Sequence, residues 1–182
     1  MKLPLRFSLA VLGSLAVACS PESDPSAPDP SFAKAGRERT VSIRDACDPT
    51  SFDAVLGAGA CTRNGGVTFD KFIELLGAHQ NVGAWHFAPG DLNVQVGDEL
   101  VAVNDGGEEH TFTEVEEFGG GIVPDLNTLS GNPEPAPECL ATTLERLAPG
   151  ARFSEEVEDE GDEHYQCCIH PWMRMTVHAH EK

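Results

Sequence analysis

From Trp85 onward, apolar and polar residues alternate with the period of two that is typical of β-strands. The alternation runs over residues 92–96, pauses at a Gly-Asp turn signal, and resumes over residues 100–103. Further strands are predicted over residues 152–168, interrupted by an acidic turn, and over residues 174–180. Short strands with turn signals at this spacing predict an all-β sandwich.

Residues 40–84 carry a helical pattern instead. Asp48 followed by Pro49 is typical of a helix start, and Gly57 is typical of a helix end. The stretch between them has apolar residues at i, i+3 and i+4, namely Phe52, Val55 and Leu56. We therefore predict a short amphipathic helix before Gly57.

A second helix is predicted between Thr68, a suitable N-cap, and Gly77. Its apolar face consists of Phe69, Phe72, Ile73 and Leu76. Neither helix is long enough to be stable alone. Residues 40–84 are therefore expected to form a small structural attachment packed on a β domain of residues 85–182.

The first 18 residues have the composition of a secretory signal. Lys2 and Arg6 precede an apolar run over residues 7–17, which is too short to span a bilayer as a mature helix. Residues 15–19 also resemble a bacterial lipobox, in which Cys19 would become the lipidated first residue. Cleavage by an ordinary signal peptidase is the alternative.

Residues 19–39 begin with a segment rich in proline, serine and acidic side chains. Such a segment cannot bury enough apolar surface to fold, so we expect a solvated tether. The predicted location is outside the cytoplasm, in the periplasm or at the cell surface, with the chain anchored to a bacterial membrane through Cys19.

The chain is strongly acidic, with 12 basic and 30 acidic residues and a formal net charge of −18. Removal of residues 1–18 takes away two cations and no acids, which leaves 10 basic and 30 acidic residues, a net charge of −20. This charge excludes nucleic acid as a natural partner. Two interpretations stay open: an acidic surface that serves solubility, or electrostatic steering toward a basic protein partner.

Five cysteines remain once Cys19 is assigned to the anchor, an odd number for an exported protein. One metal-bound thiolate and two disulfides would account for all five. If Cys167 faces a metal, Cys168 points to the opposite face of an extended strand and can bond Cys139, which pairs Cys47 with Cys61. A disulfide between Cys167 and Cys168 is the rival arrangement.

The candidate chemistry lies in residues 165–173, where Cys167, His170 and Met173 follow one another at intervals of three. A trigonal set of one thiolate and two imidazoles with a weak thioether is the arrangement of blue copper sites. Zinc would make little use of the methionine. The second imidazole must come from elsewhere, and His110, between two β-like runs, is the best candidate.

These motifs resemble the cupredoxin family, in particular the short ligand loop of amicyanin and related plastocyanin-like proteins. The resemblance implies a Greek-key β-sandwich or barrel that binds one type 1 copper ion through His110, Cys167, His170 and Met173. It also implies that Asn104 ties the two ligand loops together from outside the ligand set. The alternative is a structural cysteine with a surface histidine and a core methionine.

By the same resemblance, the expected function is transfer of single electrons to and from a redox protein such as a c-type cytochrome. His170 would be the electron port, with Trp172 at its rim or packed over the metal. A copper enzyme would need further ligands and a second β domain, so we predict no enzymatic activity. A copper-binding carrier or storage lipoprotein is the alternative function.

Overall fold

A computed structural model of the chain describes residues 36–181. Within that range the strands are Glu38–Arg44 (β1), His86–Ala88 (β2), Asp91–Gln95 (β3), Glu99–Asn104 (β4), His110–Thr111 (β5), Thr113–Val115 (β6), Arg146–Leu147 (β7), Arg152–Glu156 (β8), Gly161–Gln166 (β9) and Arg174–His180 (β10). The α-helices are Pro49–Leu56 (α1), Phe69–His79 (α2) and Pro124–Leu129 (α3).

The strands of this range form two four-stranded sheets and one small pair. The first sheet has the order β2-β1-β4-β8, the second has the order β3-β10-β9-β6, and β5 pairs with β7. Neighbours are antiparallel except for β1 with β4 and β3 with β10, which are parallel. The predicted β-sandwich is confirmed, and the described strands do not close into a barrel.

The core lies between the two sheets and follows the alternation seen in the sequence. On β10, Met175, Val177 and Ala179 are buried while the residues between them are more exposed. On β4, Leu100 and Ala102 are fully buried and contribute to the same cluster. This inward-facing set is what fixes the strand register, because a slip by one residue would expose it.

Strand β1 is absent from the sequence-based prediction, which placed residues 40–84 in a helical attachment. Residues Glu38–Arg44 form the strand, and β1 pairs with β4 from Glu38 opposite Glu99 to Ile43 opposite Asn104. Only Val41 and Ile43 face the core. Two apolar positions are too few for a clear alternation, and the parallel partner lies about 60 residues further along the chain.

Helix α1 begins and ends where predicted, but its apolar stripe was wrong in part. The Asp48 carboxylate accepts a hydrogen bond from the backbone N–H of Ser51 at 2.9 Å, which caps the helix. Phe52 is buried, whereas Val55 and Leu56 are 59% and 55% exposed. The helix rests on its Phe52 side and leaves two apolar side chains in solvent.

Helix α2 is capped by Thr68 as predicted, but it continues past Gly77 to His79. It ends at Gln80, whose backbone adopts a left-handed conformation and donates its N–H to the carbonyl of Leu76. Phe72 and Leu76 are buried. The Phe72 ring lies 5.6 Å from that of Phe52 in an edge arrangement, so the two helices pack on each other through aromatic side chains.

Residues 119–149 form a long connection that is rich in glycine and proline. They contain α3, a 3-10 turn at Pro137–Leu140 and the short strand β7. The expected disulfides are both present: Cys47 bonds Cys61, and Cys139 bonds Cys168. Cys167 stays free and buried, so the rival Cys167–Cys168 bond does not form.

The predicted signal sequence, the lipid anchor at Cys19 and most of the tether fall within residues 1–35, outside the described residues. Among residues 36–181, none of the helices has the length and apolar character needed to span a bilayer.

Candidate metal centre

Three metal-binding side chains meet at one end of the sandwich. His110 opens β5, Cys167 follows directly after β9, and His170 lies in the turn before β10. The Cys167 Sγ lies 3.7 Å from the Nδ1 of His110 and 3.7 Å from the Nδ1 of His170. Cys167 and His110 have no exposed surface, and His170 is 3% exposed. A soft thiolate and two imidazole nitrogens therefore face one another in a dry pocket.

Backbone hydrogen bonds close the turn over residues 167–173, which is called the ligand turn below. The Cys167 N–H donates to the carbonyl of Met173 at 3.0 Å, and the Met173 N–H donates to the carbonyl of His170 at 2.9 Å. Arg174 fixes the outside of the turn by donating to the carbonyl of Pro171 at 2.7 Å. Met173 is fully buried, and its role as the fourth ligand stays a prediction.

Asp45 orients His110 from the side opposite Cys167. Its Oδ2 lies 2.9 Å from the His110 Nε2 and also accepts hydrogen bonds from the backbone N–H groups of Gly107 and Glu108. The Asp45 side chain is 1% exposed. With Nε2 occupied by the carboxylate, Nδ1 is the ring nitrogen that faces the thiol, as in carboxylate–histidine–metal arrangements.

The Asp45–His110 contact favours the ion pair in the metal-free site. Burial alone would raise the pKa of Asp45, but the hydrogen bonds from His110 and from the Glu108 backbone lower it to about 2. Burial would lower the pKa of His110, but the contacts with Asp45 and Cys167 raise it to about 9. The pKa of His110 shifts further than that of Asp45 because its ring contacts two acidic groups, the Asp45 carboxylate and the Cys167 thiol.

The Cys167 sulfur lies in an environment that favours the thiolate. Burial raises the pKa of a thiol, but the hydrogen bonds from His110 and His170 outweigh burial and lower the pKa of Cys167 well below its usual value. The backbone N–H of Thr111 also points at this sulfur, with a distance of 3.4 Å. The thiolate is the form that binds metals.

The second histidine also has a carboxylate behind it. The Glu108 Oε2 lies 3.8 Å from the His170 Nε2 and accepts a hydrogen bond of 2.5 Å from the indole N–H of Trp85. Burial raises the pKa of Glu108. Each imidazole therefore offers Nδ1 to the centre and has a carboxylate near Nε2, a pattern that sequence reasoning missed.

Asn104 joins its own loop to strand β7, and Thr111 makes the link to the Cys167 turn that was expected of Asn104. The Asn104 amide donates to the carbonyls of Glu108 and Leu147, and its oxygen accepts from the Gly106 N–H. The Thr111 hydroxyl instead accepts from the backbone N–H of Cys168 at 2.7 Å. The position directly after the candidate ligand His110 was the signal that could have identified Thr111.

The surface port expected at His170 is covered in this chain. Trp172 is half-buried, and its ring lies 5.4 Å from the His170 ring in an edge arrangement. Phe72 of helix α2 lies 6.3 Å from the same imidazole and 5.8 Å from Trp172. The attachment thus reaches the candidate centre and shields it from solvent.

A second group of metal-binding residue types, Asp45, Cys47 and Glu108, lies next to the first. Cys47 is bonded to Cys61 and cannot offer a thiolate. The two carboxylates are already engaged with the histidines and the Trp85 indole. This group therefore serves the first centre.

The residues His110, Cys167 and His170 fit a copper ion. One thiolate and two imidazoles in a trigonal set are the donors of blue copper centres, and hard cations such as magnesium or calcium would need oxygen ligands. A single buried thiolate also differs from structural zinc sites, which have four strong ligands. The donor chemistry therefore favours copper over the common alternatives.

The solved structures to which the fold is similar include copper proteins. A purple cupredoxin from Nitrosopumilus maritimus is 18% identical, with a TM-score of 0.43, over 78% of this chain and 98% of that one. A proline-to-glycine mutant of amicyanin in its reduced Cu(I) form is 21% identical, with a TM-score of 0.36, over 52% of this chain and 73% of that one.

A copper-containing nitrite reductase from Thermus scotoductus is 21% identical, with a TM-score of 0.37, over 53% of this chain but only 20% of that one. No protein-family model matches the chain, and no curated protein matches it by sequence. Because these identities are below 25% and the TM-scores below 0.5, the likenesses carry no functional argument. They are similarities of fold alone. The donor atoms of His110, Cys167 and His170 are what favours copper.

Proposed function

We propose that this protein is a cupredoxin that binds one type 1 copper ion and carries single electrons between redox partners outside the cytoplasm. The observation that supports it most strongly is the convergence of His110, Cys167 and His170. These residues come from two segments 57 residues apart in sequence and place the Nδ1 atoms of both histidines 3.7 Å from the Cys167 Sγ. Accidental burial of a thiolate between two imidazoles is costly, since each polar group must be compensated.

Each residue has a distinct role in this proposal. A bound copper ion would supply a one-electron couple, held by His110, Cys167, His170 and Met173. Cys167 provides the strongest covalent donor, and the Thr111 N–H at its sulfur tunes the electron density there. Asp45 and Glu108 hold the two imidazoles in orientation.

The rigidity of the site supports electron transfer. The donors are buried, and the ligand turn is closed by backbone hydrogen bonds. The neighbouring Cys168 is tied to Cys139 by a disulfide. A site held in this way changes little when one electron arrives or leaves, which lowers the reorganisation that slows electron exchange.

We also propose that the protein works outside the cytoplasm, lipid-anchored at Cys19 to a bacterial membrane. Two disulfides in the described residues are typical of an oxidising compartment. Redox partners such as a c-type cytochrome would be met there. We propose a carrier without enzymatic activity, because three protein donors and Met173 would leave no coordination position for a substrate.

The proposal is tested by stopped-flow mixing of the copper-loaded, reduced mature protein with an oxidised c-type cytochrome. We expect rapid oxidation of one copper per chain, with the copper still bound afterwards. A protein that exchanges no electrons but surrenders its metal to a Cu(I)-binding acceptor would be a copper carrier, and that result would contradict the proposal.

A further inference from the structure

Strand β10 carries two histidines, His178 and His180, on the face of the second sheet that points away from the core. The residues that alternate with them, Met175, Val177 and Ala179, are buried. Side chains two residues apart on a strand lie on the same face of a sheet. The His178 side chain is 33% exposed, and His180 is exposed. An ion in the solvent can therefore reach both imidazoles.

The His178 ring lies between two carboxylates from the neighbouring strands. Asp162 of β9 is directly opposite His178, and its Oδ1 lies 2.7 Å from the His178 Nδ1. Asp91 of β3 places its Oδ1 3.8 Å from the His178 Nε2. The first distance is that of a hydrogen bond, whereas the second is too long for one. The hydrogen bond to Asp162 thus leaves Nε2 directed at a carboxylate to which it is not bonded.

This arrangement of His178 suits a metal ligand. Zinc lies about 2.0–2.2 Å from nitrogen and oxygen donors, so two donors at tetrahedral positions are about 3.4 Å apart. The separation of 3.8 Å between the His178 Nε2 and the Asp91 Oδ1 needs only a small side-chain rotation to reach that value. A carboxylate on the other ring nitrogen, here that of Asp162, is what fixes the orientation of a metal-bound imidazole. As exposed ion pairs, the same contacts would contribute little to stability.

His180 leans toward the same part of the sheet. In the pairing of β10 with β3, His180 is opposite Gln95, and His178 is opposite Asn93. The His180 Nε2 nevertheless lies 3.2 Å from the Asn93 Oδ1. The His180 imidazole is therefore displaced along the strand toward His178, which places a second nitrogen donor beside the first.

We propose that His178, His180 and Asp91 form a surface site for a divalent transition-metal ion such as Zn²⁺ or Cu²⁺, with Asp162 as a positioning residue. Two imidazoles and one carboxylate favour such ions over magnesium and calcium, which prefer oxygen ligands alone. Three protein ligands leave a fourth position for water. The inference does not depend on the proposed function.

The surroundings of the site attract cations, and they are remote from the candidate copper centre. Asp162 is one of eight acidic residues that line a cavity at the turn between β8 and β9. Their combined field raises the local concentration of cations. Strand β10 starts directly after the ligand turn and ends at His180. Its seven residues span roughly 23 Å, so the two sites lie toward opposite ends of the strand.

The test is a titration of the mature protein with Zn²⁺ alone, in which the zinc bound per chain is counted. His178→Gln removes the central ligand, and His79→Gln is the matched control because His79 is an exposed histidine at the end of α2. We expect the wild-type protein and His79→Gln to bind one zinc ion more per chain than His178→Gln. This difference is independent of any zinc that enters the buried centre.

Two further measurements report on the other residues. Asp162→Asn keeps all three ligands but loses the carboxylate on Nδ1, and we expect it to bind this zinc about tenfold more weakly. In the wild-type protein, zinc should shift the imidazole NMR signals of His178 and His180 together and leave the signal of His79 unchanged.

Equal zinc stoichiometry in the wild-type protein and His178→Gln would overturn the site, and His178 would then be a cation between two aspartates. A zinc-induced shift of the His178 signal without one of the His180 signal would overturn the three-ligand set. Unchanged affinity in Asp162→Asn would overturn the positioning role. Each of these results leaves the electron-carrier proposal intact, because the two sites share no residue.

Discussion

At the scale of single residues, Asp45 decides how His110 is presented. Asp45 directly follows β1, and its almost fully buried carboxylate contacts the His110 imidazole. A lone aspartate 65 residues before His110 gives no sequence signal of this role. Its position immediately after β1 becomes informative only once the strand is known.

Asp45→Asn is expected to lower copper affinity by roughly 10- to 100-fold, the usual effect of losing a carboxylate behind a metal-bound histidine. The measurement is competition with a chelator of known affinity. Asp48→Asn is the matched control, because this nearby residue caps α1 and asparagine caps as well as aspartate. Equal affinities in Asp45→Asn and the wild-type protein would show that Asp45 does not orient the ligand.

The raised pKa of His110 predicts that copper uptake releases protons. With a pKa of about 9, the imidazole of the metal-free protein is protonated at pH 7, and its Nδ1 must lose a proton to bind metal. About one proton per copper should be released from this residue at pH 7, and release should vanish above pH 9. Calorimetry in buffers of different ionisation enthalpy measures it.

The same shift affects the stability of the metal-free protein. His110 has a folded-state pKa above its usual value of 6.5, so its contribution is fully present below pH 6.5 and is lost as the pH rises through about 9. Asp45, with a folded-state pKa of about 2, contributes above pH 3.8 and loses its effect as the pH falls through 2. For the copper-uptake experiment, a number of released protons that stays constant between pH 7 and pH 10 would contradict the raised pKa of His110.

At the scale of elements, the β9 end and the loop over residues 119–149 are joined by the Cys139–Cys168 disulfide. Neighbouring cysteines there have separate roles, because Cys167 belongs to the centre and Cys168 packs with Val115, Ala136 and Cys139 in a separate small cluster. Both cysteines follow the end of β9 at Gln166, and their side chains pack in different clusters.

Replacement of both Cys139 and Cys168 by serine is therefore expected to keep the copper centre but to lower the free energy of unfolding by roughly 3–4 kcal/mol, the chain-entropy value for a loop of this length. Chemical denaturation of the copper-free variant measures the loss. The same substitution at Cys47 and Cys61 is the comparison and should cost about 3 kcal/mol. Loss of copper binding in the Cys139 and Cys168 variant would contradict the separation of roles.

Strands β8 and β9 lie in different sheets, and they and the turn between them carry a concentration of acidic residues around Tyr165. Burial raises the pKa of Glu155, with Glu114 and Glu163 nearby adding to the effect, and one Glu155 oxygen is buried without a hydrogen-bond partner. A carboxyl with a raised folded-state pKa stabilises the fold below its usual pKa and loses that effect as the pH rises through the raised value. At pH 7 this carboxylate therefore opposes folding.

Glu155→Gln should accordingly raise the free energy of unfolding by about 1 kcal/mol or less at pH 7, with a smaller gain at pH 4. Glu156→Gln is the matched control, because Glu156 follows Glu155 on the same strand and its side chain is exposed. Thermal unfolding at pH 7 and at pH 4 measures the change in stability of both variants. A destabilised Glu155→Gln variant would mean that the carboxylate has a favourable partner.

At the scale of the whole molecule, strand β1 separates the point where the chain enters the domain from the candidate centre. Glu38 lies at one end of the strand, and Asp45, which follows the other end, contacts His110. Seven residues of strand span roughly 23 Å. Under the proposed anchoring, the centre lies at the end of β1 opposite to the end at which the tether joins the domain.

Much of the centre could be predicted from the sequence, because Cys167 and His170 lie at a short, characteristic interval and His110 stands between two β-like runs. The three side chains meet as expected, namely those of His110, Cys167 and His170. The disulfide between Cys139 and Cys168 was also predicted, from the opposite directions of neighbouring side chains. The unpredicted parts depend on contacts between distant segments. Strand β1, the Asp45 carboxylate and the cover of Phe72 over His170 have partners between 60 and 100 residues away, and local patterns carry no information about such pairs.

The most direct measurement is the visible absorption spectrum of the copper-loaded mature protein beside its Cys167→Ser and Cys168→Ser variants. A thiolate bound to Cu(II) in a trigonal site should produce an intense colour in the wild-type protein and in Cys168→Ser, and none in Cys167→Ser. A colourless wild-type protein, or colour that survives in Cys167→Ser and disappears in Cys168→Ser, would contradict a copper centre built on His110, Cys167 and His170.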